Sequence, residues 1–362
     1  MDQSQRKSVP DIHMAWPEEG MEAVPACPLC ADEHRALLHE NLRDKIFFVA
    51  PGKWSLWRCG GCSCAYLDPR PNEETIGAAY ENYYTHQEPA DKNFLSGARK
   101  GLVSQLWQRL RNNYLNHRFG HDIRPSLWGG AYLVRNSNDL SGKAAHTIRH
   151  LPAPRKNSNR LLDIGCGNGD FLFVARRLGY RAQGLDIDPE AAEAGRSAGL
   201  DIRVGKVPES GLTREKFDQI TLSHVIEHLH NPVSALREIH SLLKTGGRIW
   251  ISCPNIDSEG HHLFADAWRG LEPPRHLVLF NFASLAGALA RVGFNRIQLM
   301  PPPPEANFYW GQSVAISRGM DPYSFVLDPK SREFANAQRA DRLAAHNPER
   351  GESITVIAYK EA

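Results

Sequence analysis

The pattern of apolar and polar positions changes near residue 160, where short apolar runs begin to alternate with stretches whose apolar residues recur every three or four positions. Runs at 160–164, 181–186, 202–204, 219–223 and 248–252 have the length of strands. Between them, 171–178 predicts a helix ended by Gly179, and Asp188 with Pro189 opens a second helix that Gly199 closes. Asn231-Pro232 opens a third, with Val233, Leu236, Ile239, Leu242 and Leu243 on one face and Gly246-Gly247 after it. Strands alternating with such helices dictate an α/β fold, a parallel sheet with helices on both faces. A helix over 281–291 and strands over 295–300 and 354–359 follow, an ending that suits an antiparallel pair at the sheet edge. Residues 301–304 and 330–352 predict no definite element.

The part before residue 160 is organised differently. Residues 1–24 are polar, carry Pro10 and Pro17, show no periodicity and are expected to be a flexible leader. Residues 25–71 hold a cysteine segment. Residues 72–150 are rich in aromatics, with Leu102, Leu106, Leu110 and Tyr114 at helical spacing, and predict a helical covering region ahead of a domain over 151–362.

Composition narrows the classes of function. At 362 residues the chain suits one large domain with a smaller appendage. Lysine and arginine total 43 against 41 acidic residues, a balance that gives no electrostatic ground for a nucleic-acid or membrane-surface partner. Residues 1–22 carry Asp2, Asp11, Glu18 and Glu19 and lack a signal-peptide apolar core. No later run is long and apolar enough to span a bilayer. The expectation is a cytoplasmic protein that acts on a small molecule.

Four of the seven cysteines form two Cys-x-x-Cys pairs, Cys27/Cys30 and Cys59/Cys62, with 28 residues between them. This spacing brings four thiolates to one tetrahedral zinc ion, and Gly60-Gly61 eases the second turn. Such a metal is structural, because four thiolates leave no open position. Cys64 is an alternative fourth ligand to Cys62, and a redox pair is the rival reading.

The most informative run is Leu161-Leu162-Asp163-Ile164-Gly165-Cys166-Gly167-Asn168-Gly169-Asp170. A strand entering three alternating glycines lets the backbone approach a ligand, and the helix start behind it offers free N–H groups. Asp186 ends the next strand, where a carboxylate can accept both hydroxyls of a ribose. Together they point to an adenosine ligand.

These residues, with Gly184-Leu185-Asp186, residues 217–228 and Leu243-Lys244-Thr245-Gly246-Gly247, resemble the class I S-adenosylmethionine-dependent methyltransferases over about residues 160–300. Pro273-Pro274-Arg275-His276-Leu277, Gly293-Phe294 and the cysteine segment resemble a subgroup that methylates sugars, lipids, quinone-like rings and natural-product scaffolds. The resemblance implies S-adenosylmethionine as donor, bound around Asp163, Gly165, Cys166, Gly167, Gly169, Asp186, Ile187 and Ser223. The acid that often contacts adenine after the third strand is missing, since Gly205-Lys206-Val207 stands there.

Two histidine clusters offer the remaining chemistry. His224, Glu227 and His228 follow the fourth strand, at the sheet edge where ligands bind, and a positioned His or Glu there could take an acceptor proton. His261, His262, Trp268, Arg275 and His276 lie after the fifth, and suit a polar, ring-shaped acceptor. His276 is the first choice of base and His224 the next, with anchoring of the loops as the alternative role. Three functions fit: methylation of a hydroxyl on a small-molecule, glycan or lipid-linked acceptor; C-methylation of a nucleotide-linked keto-sugar, its diphosphate met by Arg275 or by Arg109 and Arg111; and a non-catalytic donor-binding scaffold.

Overall fold

The computed structural model describes residues 14–80 and 101–361. The N-terminal part carries β1 (Met21–Glu22), β2 (Arg35–Leu42), β3 (Trp54–Cys59), β4 (Ala65–Leu67) and β5 (Arg70–Pro71). Three helices follow: α1 (Leu102–Phe119), α2 (Gly130–Arg135) and α3 (Asn138–Thr147). The alternating region begins with β6 (Arg160–Ile164), α4 (Asp170–Arg177), β7 (Arg181–Asp186), α5 (Pro189–Ser197), β8 (Asp201–Val204) and β9 (Phe217–Ser223). It continues with α6 (Pro232–Leu242), β10 (Leu243–Pro254), α7 (Glu259–Phe264), β11 (Val278–Leu279), α8 (Phe282–Arg291) and β12 (Phe294–Met300). The chain ends with α9 (Ala306–Ser317), α10 (Arg332–His346) and β13 (Ser353–Lys360).

Seven strands form the main sheet in the order β12-β13-β10-β9-β6-β7-β8. The five strands from β10 to β8 are parallel, and β13 runs antiparallel between β10 and β12. The antiparallel ending is therefore present, with β12 at the outer edge. Both faces are buried, as expected of a parallel sheet: neighbouring Leu161 and Leu162 point to opposite sides and enter two different hydrophobic cores. The helix starts follow local chemistry. The Asp188 carboxylate accepts from the Glu190 and Ala191 amides, and Asn231 accepts from Ser234.

The structure corrects three expectations. Residues 14–24 are not loose: Trp16 is buried edge-on against Trp54, and β1 pairs with β5. Residues 1–13 lie outside the described residues, as do 81–84 of the aromatic stretch at 76–84. The stripe on α1 is only half used, since Leu110 and Tyr114 are buried while Leu102 and Leu106 are exposed. Residues 330–352, which predict no definite element, hold α10, and α9 lies in the stretch 305–329, for which no element is predicted. The buried face of α10 is alanine, at Ala337, Ala340 and Ala344, and α9 is buried nearly all round, so neither shows a marked apolar stripe.

The cysteine segment does not form a separate core. β11, from the loop after β10, pairs with β4 and completes a four-stranded sheet ordered β11-β4-β3-β2. One continuous hydrophobic core runs from Trp16, Trp54 and Tyr66 to Ile164, Leu222 and Ile251 of the main sheet.

At this junction the Arg275 guanidinium is fully buried. It donates from Nη2 to Asp44 Oδ1 at 2.7 Å, from Nε to Glu272 Oε1 at 3.0 Å and from Nη1 to the Ala79 carbonyl at 2.9 Å. Asp44 also accepts from the amides of Ile46, Phe47, Val49 and Ala50. Removing one member of such a set leaves uncompensated buried charge. Arg275→Met is expected to lower stability by about 3–5 kcal/mol, read as a lower urea midpoint; an unchanged midpoint would show that the pair does not hold the junction.

Candidate functional site

The glycine loop leaves β6 at the carboxyl edge of the sheet. Gly165, Gly167 and Gly169 have φ of 67°, 53° and 93°, in the left-handed region open mainly to glycine. Close packing adds a second constraint, since a Cβ on Gly165 would run into Val225 and one on Gly169 into Leu200. Asp186, at the end of β7, grips the loop: Oδ2 accepts from the Gly167 amide at 2.6 Å and Oδ1 from the Asp188 amide at 2.9 Å.

Asp163 lies buried beneath the loop. Its Oδ1 accepts from Thr221 Oγ1 at 2.8 Å and from Arg149, while Oδ2 has no hydrogen-bond partner. Burial pushes both carboxyls, Asp163 and Asp186, above the usual carboxylate range. Cys166 is buried against Gly184, Ser223 ends β9, and Ile187 stands exposed beside Asp186. Where an adenine-contacting acid is missing, the Gly205 amide donates to the Asp186 carbonyl, and Lys206 pairs with Glu73 of the N-terminal part.

The next strand end brings together residues from both histidine clusters. Ligand atoms of Glu227, His228 and His276 lie within 4.8 Å of one another. His224 Nδ1 stands 3.3 Å from Glu227 Oε1. Glu227 is wholly buried, and its position among the histidines outweighs burial and holds its carboxyl below the usual range. His276 is also buried, which lowers its imidazole to about 4. The His224 side chain is 39 % accessible, unlike that of Glu227. Burial opposes its charged form, but Glu227 outweighs this and raises it.

The other members of the second cluster face elsewhere. Trp268 is buried and donates to Glu352 Oε2 at 2.8 Å. His261 Nδ1 donates to the Ile256 carbonyl at 2.6 Å, and its Nε2 lies 2.8 Å from Nε2 of His39 in β2. Arg275 is saturated by Asp44, Glu272 and Ala79, so it is not available to a diphosphate.

Three further residues border the site. Tyr80 Oη lies 2.9 Å from His228 Nδ1. Glu305 is deeply placed near His224, accepts from Ser353 Oγ at 2.7 Å and is pushed above its usual range by burial. His146 of α3 reaches Ser252 Oγ at 3.4 Å, and burial lowers it to about 3. Glu305 and His146 lie in stretches with no motif to mark them.

The four cysteines of the two pairs meet, with ligand atoms of Cys27, Cys30, Cys59 and Cys62 within 4.8 Å of one another. Backbone amides of Leu29 and Cys62 donate to the sulfurs of Cys27 and Cys59, each at 3.4 Å. Cys64 is buried alongside, with its sulfur 3.4 Å from Cys27 and 3.5 Å from Cys62. All are free thiols, and the donor set fits a tetrahedral thiolate site.

Comparison with known proteins agrees with the sheet and its loop. Residues 137–299 match the family model described as a methyltransferase domain. A ubiquinone biosynthesis O-methyltransferase of Xanthomonas campestris is 33 % identical over 103 residues, 26 % of this chain and 43 % of that protein, and its counterpart in Xanthomonas oryzae matches to the same extent. The chain thus spans less than half the length of these relatives. A methyltransferase structure from Archaeoglobus fulgidus aligns with 63 % of this chain and 96 % of its own, at 20 % identity and a TM-score of 0.42. A complex of the Haloferax volcanii Trm112 activator and a methyltransferase aligns with 64 % and 95 %, at 15 % identity and a TM-score of 0.43. The matched family domain, the seven-stranded sheet and the glycine loop agree: over residues 137–299 the chain is similar to the methyltransferase domain family.

Proposed function

We propose that the protein transfers a methyl group from S-adenosylmethionine to a hydroxyl of a small-molecule, glycan or lipid-linked acceptor. The observation that carries this reading is the meeting of two strand ends: Gly165 of the loop packs directly on Val225, the neighbour of His224. A donor in the loop and an acceptor beside His224 would therefore adjoin.

The donor supplies a methyl on a sulfonium, an activated leaving group, so alignment of the two reactants is the main task of the protein. The backbone of Gly165, Gly167 and Gly169 would cradle the methionyl part, and Asp163 offers its unpartnered Oδ2. Each Asp186 oxygen holds one amide and keeps a lone pair for a ribose hydroxyl. Cys166, Ile187 and Ser223 would border the donor.

His224 is the group in the cluster best placed to take the acceptor proton, because its side chain is accessible while the buried Glu227 beside it stabilises the charged ring. His276, whose Nδ1 is held and whose ring is buried, would act through the cluster and not on the acceptor directly. An O-acceptor is favoured over a nucleotide-linked keto-sugar, because Arg275 is engaged at the junction and the relatives named above are O-methyltransferases. Zinc bound by Cys27, Cys30, Cys59 and Cys62 would tie together a segment whose sheet is completed by β11, on the acceptor side of the domain.

Asp186→Ala should weaken S-adenosylmethionine binding by roughly ten- to a hundredfold in calorimetry; unchanged affinity in a folded variant would remove the loop as donor site. With a panel of phenolic and sugar hydroxyl acceptors, His224→Ala should lower turnover roughly a hundredfold or more while donor affinity stays the same. Equal turnover of variant and wild type would take His224 out of proton transfer.

The metal assignment has its own optical test. Cobalt-substituted protein should show thiolate charge-transfer absorption that Cys62→Ala abolishes and Cys64→Ala preserves. The reverse pattern would make Cys64 the fourth ligand, and no such band in the wild type would remove the metal site.

A further inference from the structure

Glu227, His228 and His276 are arranged for more than proton transfer. Both carboxylate oxygens of the buried Glu227 lack a hydrogen-bond partner, although His224 Nδ1 approaches Oε1 at 3.3 Å. An ionised carboxylate left in this state is costly unless a cation faces it.

The neighbouring guanidiniums do not supply that cation, and His224 approaches only Oε1. Asp44, Glu227 and Glu272 are three buried carboxylates, and Arg269 and Arg275 are the two guanidiniums among them. Arg275 is shared between Asp44 and Glu272, and Arg269 pairs with Glu272. Neither guanidinium reaches Glu227, whose carboxylate faces only imidazoles: His224 at 3.3 Å on one side, His228 and His276 on the other.

The two imidazoles are set in the tautomer that a metal needs. His276 Nδ1 lies 2.7 Å from the Gly270 carbonyl, so this nitrogen carries the proton and donates it. His228 Nδ1 lies 3.0 Å from the Arg275 carbonyl and 2.9 Å from Tyr80 Oη, and because a carbonyl can only accept, this nitrogen carries the proton as well. Nε2 of each ring is left with its lone pair. A histidine whose other nitrogen donates to a backbone carbonyl is the usual form of a metal-bound imidazole.

We propose that Glu227, His228 and His276 bind a divalent cation through the Glu227 carboxylate and the two Nε2 atoms, at a site separate from the four cysteines. Two imidazoles and one carboxylate suit manganese, iron, cobalt or zinc and are harder donors than the thiolate set. Three protein ligands leave positions open, and an acceptor hydroxyl that entered one would lose its proton more readily, to His224 beside it. The binding claim does not depend on the methyltransferase reading. The use made of the metal does.

The test is a titration of the protein as isolated, its metal content already counted, with Mn²⁺, the free ion being followed by electron paramagnetic resonance. The wild type should bind about one equivalent per chain, and Glu227→Gln and His276→Gln should each weaken binding by roughly a hundredfold or more, with the cobalt–thiolate absorption of the cysteine site intact. His228→Gln provides a third variant should either of these fail to fold. Absence of any Mn²⁺, Co²⁺ or Zn²⁺ binding beyond the cysteine site, or affinity unchanged in the folded variants, would overturn the site. S-adenosylmethionine binding measured on the same samples separates the two readings: donor binding without the second metal defeats only this inference, and metal binding without donor binding defeats only the methyltransferase reading.

Discussion

The buried guanidinium of Arg275 sets the position of almost everything around the histidine cluster. A charge so deep is tolerable only when matched and fully hydrogen-bonded, and here Asp44 and Glu272 match it from two parts of the chain. Asp44 lies 231 residues away in sequence and is itself the centre of a turn, taking four backbone amides at 44–50. The Arg275 backbone carbonyl fixes the His228 ring. Next to it, His276 donates to Gly270, and Glu272 gathers Arg269. The loop after β10 is thus held by charges that would be stranded if it moved.

This constraint explains why the cysteine segment is built into the catalytic part. β4 gains its outer neighbour from β11, and polar links flank that ladder. Arg58 donates to Asp257 at 2.7 Å, Arg70 to the His230 carbonyl at 3.0 Å, and Asn281 to the Ser63 carbonyl at 3.4 Å. A short segment gains most of its buried apolar surface by sharing a core, and the shared core here reaches the main sheet. The histidine cluster is therefore a joint product of both parts. The glycine loop depends chiefly on β6, β7 and the glycines between β6 and α4.

Much of this was legible in the sequence. The strands from β6 to β10, the caps at Asp188 and Asn231, the antiparallel ending, the glycine loop with Asp186 and the two cysteine pairs all rest on local rules: strand length, helix period, turn chemistry and ligand spacing. These act over a few residues, so a linear reading captures them. α9 escaped because a helix buried on every side has no polar face to give it a period, and α10 because its buried face is alanine. Residues 14–24 were read as loose because only Trp54, far along the chain, gives Trp16 a place.

Side-chain roles at the site divide along the same line. The sequence by itself determined that Gly165, Gly167 and Gly169 form a left-handed loop, because no other residue adopts those angles as readily, and that an acid stands at the end of β7. It also singled out the candidates for chemistry: four cysteines, His224, Glu227, His228 and His276. Only the tertiary structure decided how they are grouped. His276 joined His228 and Glu227, His261 turned to His39, and Arg275 went to Asp44 and away from any ligand. Burial, partner and accessible side belong to contacts between segments far apart in sequence, and spacing along a chain carries no record of them.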